Sequence, residues 1–368
     1  MSLKFDCPRR EFAEALALAN AAVRPNSPNQ ILQLLKLEVG DGTLRVMGCD
    51  GELWIVREVA CMAQEPGSVC VPAKLLHDLV HSMPDGDVQV EGRDGQGLLV
   101  TQGDSEYRVV TQDAADFPDP PQLSSDGKVS FNMGALRDAI DSVVFAVSAE
   151  QHRQVLNGVQ LNFDGADLVL VATDTHRLAV RKLIGVGKGT AVTCVVPERA
   201  LRAIKALPLS DEQTITLRFG EGRLAVEAGG AKVVAQLLEG AYPNWERVVP
   251  AESNRTWTLE SDQLADRLKR LMILARDSAN RIRFAGCGDR IVLSTRSEDK
   301  GEAKEEVAAV LSNGDIVVAF NGRYVQDAVS PIKGPGVRVE LTESSRPAVF
   351  RDPEDDDYFC VIMPMALM

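Results

Sequence analysis

The sequence predicts an α+β protein made of three tandem copies of one domain, each with two helices packed on antiparallel sheets. Three observations predict it. An apolar stripe at offsets 0, 4, 7 and 11 is written three times: Phe12, Leu16, Ala19, Val23; Leu136, Ile140, Val143, Val147; and Leu264, Leu268, Leu271, Ala275. Phe12 and Leu136 are 124 residues apart and Leu136 and Leu264 are 128, close to a third of the 368-residue chain each time. A second helix opener recurs at Val71 (VPAKLLHDLVHSMP), Val196 (VPERALRAIKALP) and Phe320 (FNGRYVQDAVSPI), at spacings of 125 and 124.

The elements follow in order within each third. The first helices have expected N-terminal caps in Asp6 with Pro8, in Asn132, and in Ser261 or Asp262. A strand pair with a Gly and Asp turn comes next: LQLLKLEVGDGTLRVMGCD, LNGVQLNFDGADLVLVATD, then RIRFAGCGDRIVLSTRSED. The second helix follows, and further strands close each third at DFPDP, AYPNW and IMPM. Runs of strands between helices favour α+β over alternating βαβ. The expected domains are residues 1–125, 126–252 and 253–368. The charged runs EDKGEAKEE from Glu298 and DPEDDD from Asp352 read as solvated hairpin tips.

Composition narrows the function classes. With 45% apolar and 25% charged residues the chain is neither collagen-like nor wholly disordered, and 5% aromatic content means aliphatic cores. The net charge of −13 argues against a uniformly basic nucleic-acid binder, though it leaves the distribution of Lys and Arg open. No apolar run reaches the roughly 18 residues of a membrane span, and the charged start MSLKFDCPRREFAEA lacks a signal pattern, which places the chain in the cytoplasm. Seven cysteines form an odd set without a CxxC pair, so the expectation is reduced thiols, with no disulfide framework and no zinc site.

Candidate chemistry is sparse. His77, Asp78 and His81 place two imidazoles one helical turn apart, the spacing of a zinc hydrolase, yet no third ligand is evident and a surface helix is the plainer reading. GVGKGT at Gly185 lacks P-loop spacing and opens no helix, so it reads as a hairpin loop. DPEDDD lacks the ligand alternation of a calcium loop. No nucleophile motif or kinase signature is present, so the expectation is a non-catalytic protein without cofactor or metal. Basic residues do recur on the helices, beside acidic neighbours such as Glu11, Asp138 and Asp266.

LNGVQLNFDGADLVLVATDTHRLAV, GAYPNWERVVP, AFNGRYVQDAV and VIMPMALM resemble, in order and over the whole chain, the bacterial DNA sliding clamp family, the DNA polymerase III beta subunits. That resemblance implies a DNA clamp fold in which two subunits pair head to tail as a homodimer, forming a ring of six domains around duplex DNA with no sequence specificity. It also implies a processivity factor for DNA replication. The ring would tether the replicative polymerase, clamp loader, translesion polymerases and repair proteins through short linear motifs, the catalysis belonging to the bound DNA-directed DNA polymerase.

The family's partner cleft, between its second and third domains, falls here on Leu156, Thr173, Thr175, His176, Arg177, Leu178, Pro243, Arg247, Val248, Tyr324, Val361, Met363, Pro364, Met365 and Leu367. Two positions depart from the pattern: Thr175 stands where glycine is common and Ala366 where arginine is, and one extra residue, Met368, follows the usual final leucine. The residues expected to face DNA are Arg9, Arg10, Arg24, Lys74, Arg137, Arg153, Arg199, Arg202, Lys205, Arg267, Lys269, Arg270 and Arg323; those of the dimer interface are Tyr107, Ile273 and Leu274. The rival reading is a repeat-built interaction scaffold that never encircles DNA.

Overall fold

A computed structural model describes residues 2–93, 95–124, 127–150, 152–185, 187–313 and 315–367. Ser125, Asp126 and Met368, and with them the first expected domain joint, lie outside the described residues.

The first third runs β1 (Leu3–Pro8), α1 (Arg9–Asn20), β2 (Leu34–Gly40), β3 (Thr43–Cys49), β4 (Leu53–Ala60), β5 (Met62–Glu65), β6 (Gly67–Pro72), α2 (Ala73–Ser82), β7 (Asp87–Arg93), β8 (Gly97–Gln102) and β9 (Ser105–Val109). The middle third runs β10 (Gly127–Asn132), α3 (Met133–Val143), β11 (Gly158–Phe163), β12 (Leu168–Thr173), β13 (Arg177–Leu183), β14 (Lys188–Gly189), β15 (Val192–Pro197), α4 (Glu198–Lys205), β16 (Thr214–Gly220), β17 (Arg223–Ala228) and β18 (Ala231–Gln236). The last runs β19 (Arg255–Glu260), α5 (Ser261–Ala275), β20 (Arg281–Cys287), β21 (Arg290–Ser297), β22 (Gly301–Ser312), β23 (Val317–Asn321), α6 (Gly322–Val329), β24 (Gly336–Leu341), β25 (Ala348–Asp352) and β26 (Asp355–Ile362).

Helix and strand order thus recurs three times, with four strands rather than five between the helices of the last third, while the strands group into two compact units. One unit comprises residues 1–134, 188–190 and 196–237; the other comprises 135–187, 191–195 and 238–368. The middle third contributes to both because its strands extend neighbouring ladders. In the first unit β18 pairs with β4, giving a nine-stranded sheet in the order β14-β10-β16-β17-β18-β4-β3-β2-β6, beside a five-stranded sheet β5-β1-β7-β8-β9. In the second, β13 pairs with β26 in a twelve-stranded sheet β15-β11-β12-β13-β26-β25-β24-β19-β22-β21-β20-β23.

The repeated stripes bury where the spacing puts them. Phe12, Leu16 and Ala19 on α1 and Leu264, Leu268, Leu271 and Ala275 on α5 are buried, each large side chain contributing roughly 1.5–3 kcal/mol. α1 lies so close to β3 that a Cβ on Gly48 would stand 2.0 Å from the Ala19 carbonyl oxygen, which only glycine allows. Val147 lies beyond α3 and is half-buried, so the second stripe ends one position early.

Two local expectations change. Asp6 lies inside β1 and caps nothing; Pro8 precedes α1 with no side-chain cap, and Ser261 is the first residue of α5, its hydroxyl donating to the Gly334 carbonyl at 3.2 Å. The acidic loop at Asp352 is not wholly solvated. Asp352 is buried and accepts from the Gly334 and Glu354 N–H groups at 3.3 and 2.9 Å, while Asp355 pairs with Arg181. Unpaired buried charge is costly, so these carboxylates are spent on fixing the turn between β25 and β26.

Candidate functional site

Within the second unit, β13 and β26 pair antiparallel with Leu178 opposite Val361 and Val180 opposite Phe359. Residues directly opposite share a face, so these four side chains form one apolar surface with Val171 and Val349. Tyr242, Trp245 and Val249 from the segment before the last third pack over it. Tyr242 donates its hydroxyl to the Val171 carbonyl at 3.2 Å, and Trp245 meets Phe359 with ring centroids 6.4 Å apart.

The fifteen expected cleft residues, of which Leu178 and Val361 lie in this surface, differ in burial. Leu156, Thr173, Leu178 and Val361 are buried; Arg177, Tyr324, Pro364 and Met365 are half-buried; Thr175, His176, Pro243, Arg247, Val248, Met363 and Leu367 are exposed. Ala366 is exposed as well. The tail is held by its backbone: Met363 donates its N–H to the His176 carbonyl at 2.9 Å and Met365 to that of Ala319 at 2.7 Å. Its apolar side chains are left partly uncovered, an arrangement associated with binding surfaces.

The turn entering β13 is set by Asp174, whose Oδ1 accepts the N–H groups of His176 and Arg177, both at 3.0 Å. This drives Thr175 to φ +77°, a left-handed conformation that a β-branched residue rarely adopts. Arg177 is 10% exposed and spends its guanidinium inside the protein, on Asp174 at 3.0 Å, on Asp327 at 2.6 Å and on the Phe145 carbonyl. Its plane also lies 4.3 Å from the Tyr324 ring centroid, a cation–π distance. Burial pushes the Tyr324 hydroxyl up from its ordinary pKa. Sequence reasoning overlooked Asp174, Asp327, Phe145, Tyr242 and Trp245. The signal for Asp174 was present, since an aspartate three residues before a strand is an Asx-turn former.

The expected DNA-facing residues lie on the six helices, except Arg24 and Arg153, which lie in loops. Many are tied to carboxylates: Arg9 to Asp85, Arg10 to Glu14 at 3.1 Å, Arg24 to Asp50 at 2.9 Å and Glu52 at 3.2 Å, Arg199 to Asp50, and Arg202 to Glu198 at 2.7 Å. Arg267 and Arg270 converge on Glu305 at 3.3 and 2.7 Å, and the Arg270 hydrogen bond holds that carboxyl below its usual range. Arg137 and Lys205 are half-buried and partnered. Lys74, Arg153, Lys269 and Arg323 are exposed and form no ion pair with another described residue. Ile273 is 64% exposed on α5 beside half-buried Leu274, and Tyr107 is exposed on β9, an edge strand.

The remaining motifs gather no further ligands. The His77 and His81 rings stack 5.7 Å apart and His77 Nδ1 faces Asp78 at 3.0 Å, but no group of three metal-ligating side chains occurs among the described residues. Lys188 and Gly189 form β14, and Val186 of the same loop lies outside the described residues. Fold and site therefore define a tandem-domain protein that presents helices and a partly exposed apolar tail docked on its sheet.

Three family models match the chain in order: the N-terminal domain of the DNA polymerase III beta subunit over residues 3–121, its central domain over 130–244 and its C-terminal domain over 246–366. The beta sliding clamp of Synechococcus elongatus is 30% identical over 375 residues, covering 99% of this chain and all of the relative. That of Staphylococcus aureus is 28% identical over 373 residues, with 99% of each covered. A DNA polymerase III beta subunit from Thermotoga maritima shares the fold at a TM-score of 0.91 and 22% identity, with all of both chains covered. The sliding clamp of Pseudomonas aeruginosa, solved bound to griselimycin, matches at 0.89 and 27%, also over all of both chains. The chain belongs to the DNA polymerase III beta subunit family, the bacterial sliding clamps, and has their three tandem clamp domains. It is a processivity factor, a non-catalytic accessory subunit in DNA replication.

Proposed function

We propose that the chain pairs with a second copy as a ring around duplex DNA and that the groove at β13 and β26 receives short linear motifs. The occupants would be the replicative polymerase, the clamp loader, translesion polymerases and repair proteins. The observation that supports the reading is the C-terminal tail at this joint: its backbone bonds to His176 and Ala319 while Met363 and Leu367 stay exposed, and Arg247 and Val248 are exposed on the segment that covers the β13–β26 face. Leu, Val and Met make pockets that adapt to several peptides.

The three domains would span residues 1–125, 126–252 and 253–368, and the ring would close through Tyr107 on the β9 edge and Ile273 with Leu274 on α5. Basic helices in a chain of charge −13 suit the task. Phosphates attract Lys74, Arg153, Lys269 and Arg323 without sequence readout, while the acidic remainder discourages tight binding elsewhere. Affinity can then stay low, since linkage would retain the ring and tethering raises the local concentration of the bound enzyme. A cytoplasmic location follows from this role, and no helix among the described residues is long and apolar enough to cross a membrane.

The test is retention at high salt on nicked circular against linear DNA after loading by the cognate clamp loader. Retention on circles with loss from linear ends is expected. Equal loss from both after confirmed loading favours the interaction scaffold.

A further inference from the structure

The first unit contains a thiol pair that the clamp function does not use. β1 and β5 run antiparallel with Phe5 opposite Ala63 and Asp6 opposite Met62. One step further along that register, Cys7 falls opposite Cys61, and the two side chains share the face of Phe5 and Ala63. Directly opposed residues of an antiparallel pair have Cα atoms about 4.5–5.5 Å apart, inside the roughly 4.4–6.8 Å that a disulfide spans. Independent contacts agree. The Cys7 thiol points at the carbonyl of Ala60, the neighbour of Cys61, at 3.8 Å; the Cys61 N–H is fixed to the Gly42 carbonyl at 2.9 Å; and Cys61 packs against the core cluster that contains Cys7. Both thiols are free.

We propose that Cys7 and Cys61 form a reversible cross-strand disulfide when the protein meets hydrogen peroxide, a modification site that staples the β5 edge to the strand leading into α1. Cys61 is the entry point, because it is partly exposed and all four residues of β5 are exposed, whereas Cys7 is fully buried. The Cys61 thiolate attacks peroxide: an S–O bond forms, the O–O bond breaks and hydroxide leaves, giving a sulfenic acid. The Cys7 sulfur then attacks that sulfur: the S–S bond forms, the S–O bond breaks, and hydroxide leaves again. With the two thiol protons the products are one disulfide and two waters; the thiols lose two electrons and the peroxide gains them.

The same site sets the rate. Burial pushes the Cys7 thiol up to about 12, reinforced by the charges of Cys61, of Glu11 on α1 and of Asp87 on β7, and burial also raises Cys61. Both are therefore thiols at neutral pH, and the rate rises with pH by about tenfold per unit while the thiolate is the minor form. The pair responds to sustained peroxide rather than to traces of it.

The experiment treats the full chain with millimolar hydrogen peroxide, removes the peroxide, denatures the protein in guanidinium with N-ethylmaleimide so that buried thiols are blocked as well, and maps peptides by mass spectrometry without reduction. A peptide joining Cys7 to Cys61 is expected, with both of these thiols lost to alkylation and both recovered by dithiothreitol. In C61S the linked peptide is absent and Cys7 stays alkylatable. Oxidation of exposed Cys287 in the same sample shows that peroxide reached the protein. Oxidised Cys287 with Cys7 and Cys61 both alkylated overturns the proposal, as does Cys7 joined to any other cysteine. The wild-type map alone decides these outcomes, whether or not C61S folds.

Discussion

Two joints in the molecule are built from corresponding segments and end in different states. In the first unit β18 joins β4, with Val234 opposite Trp54; in the second β26 joins β13, with Val361 opposite Leu178. The turn before β4 reads Cys49-Asp50-Gly51-Glu52-Leu53 and that before β13 reads Thr173-Asp174-Thr175-His176-Arg177. In each, the aspartate Oδ1 accepts the next two available N–H groups, from Glu52 and Leu53 at 3.0 and 2.8 Å and from His176 and Arg177 at 3.0 Å. In each, the joining strand returns an N–H to the turn, Gln236 to Glu52 at 2.7 Å and Met363 to His176 at 2.9 Å. The backbone is one design used twice.

The side chains make the difference. The first joint puts the Trp54 indole, packed against Met47, Cys49, Val56 and Phe117, where the second has the smaller Leu178. Asp50, 1% exposed, is clamped by Arg24 and Arg199, whereas Asp174 is met by Arg177 from its own turn. The left-handed turn position is Gly51 at φ +92° in one and Thr175 at φ +77° in the other. A repeated scaffold thus yields one joint whose turn is relaxed by glycine and one whose turn is strained at threonine beside a partly exposed apolar tail.

The largest effect expected from this contrast is on ligand binding. Ending the chain after Ile362 removes the Met363, Pro364, Met365 and Leu367 side chains from the groove. Binding of the short polymerase peptide proposed for this site is expected to weaken at least 100-fold by calorimetry, a loss of about 2.7 kcal/mol or more. The first joint and the fold should persist, because the core residues lie upstream. Unchanged binding would move the groove elsewhere.

A smaller effect comes from exchanging the turn residues. A left-handed conformation costs a residue bearing a Cβ roughly 1–2 kcal/mol, and the extra backbone freedom of glycine gives back roughly 0.5–1. Thr175→Gly is therefore expected to stabilise the second unit by up to about 1.5 kcal/mol, and Gly51→Thr to destabilise the first by a similar amount. Nothing lies within 4 Å of the Cβ position on Gly51, so the cost there is conformational rather than steric. Scanning calorimetry reads both, and a stability loss in Thr175→Gly would show that the threonine side chain contributes more than its backbone strain removes.

How much of this was legible depends on the kind of interaction. The helices were readable because a stripe such as Phe12, Leu16 and Ala19 encodes its burial within one element, and the hairpins because the Gly and Asp turns are local. The cap at Asp6 was misread because β1 runs through Pro8 to the start of α1 at Arg9, leaving Asp6 in the ladder with Gln89 and Met62. The cleft residues came from family resemblance, since Leu178 and Val361 meet only after β13 and β26 pair across more than 180 residues. The role of Arg177 depends on Phe145, Asp174, Tyr324 and Asp327 converging, and no periodicity announces that. The acidic loop misled because charge in sequence reads as solvation until a partner such as Arg181 is placed beside it.

The smallest effect uses that partner to separate the joints by pH. At the first joint Arg57 on β4 donates to the Gly229 carbonyl, which does not titrate; on β13, Arg181 donates to the Asp355 carboxylate. Burial alone would raise Asp355, but the hydrogen bonds from Arg181 and the Asp357 N–H outweigh it and hold the carboxyl below its ordinary value. A folded pKa below the unfolded one means the stabilisation is complete above the unfolded value, roughly 4, and is lost as pH falls through the folded value. Asp355 is about one-third exposed, so solvent screening keeps the contribution under about 1 kcal/mol. Protection of β26 amides against hydrogen exchange, corrected for intrinsic rates, should fall in that acidic window while β18 amides hold theirs, and Asp355→Asn should flatten the β26 response. Equal loss in both strands would mean that acid acts on the fold as a whole, and that the two joints differ in groove and strain but not in charge.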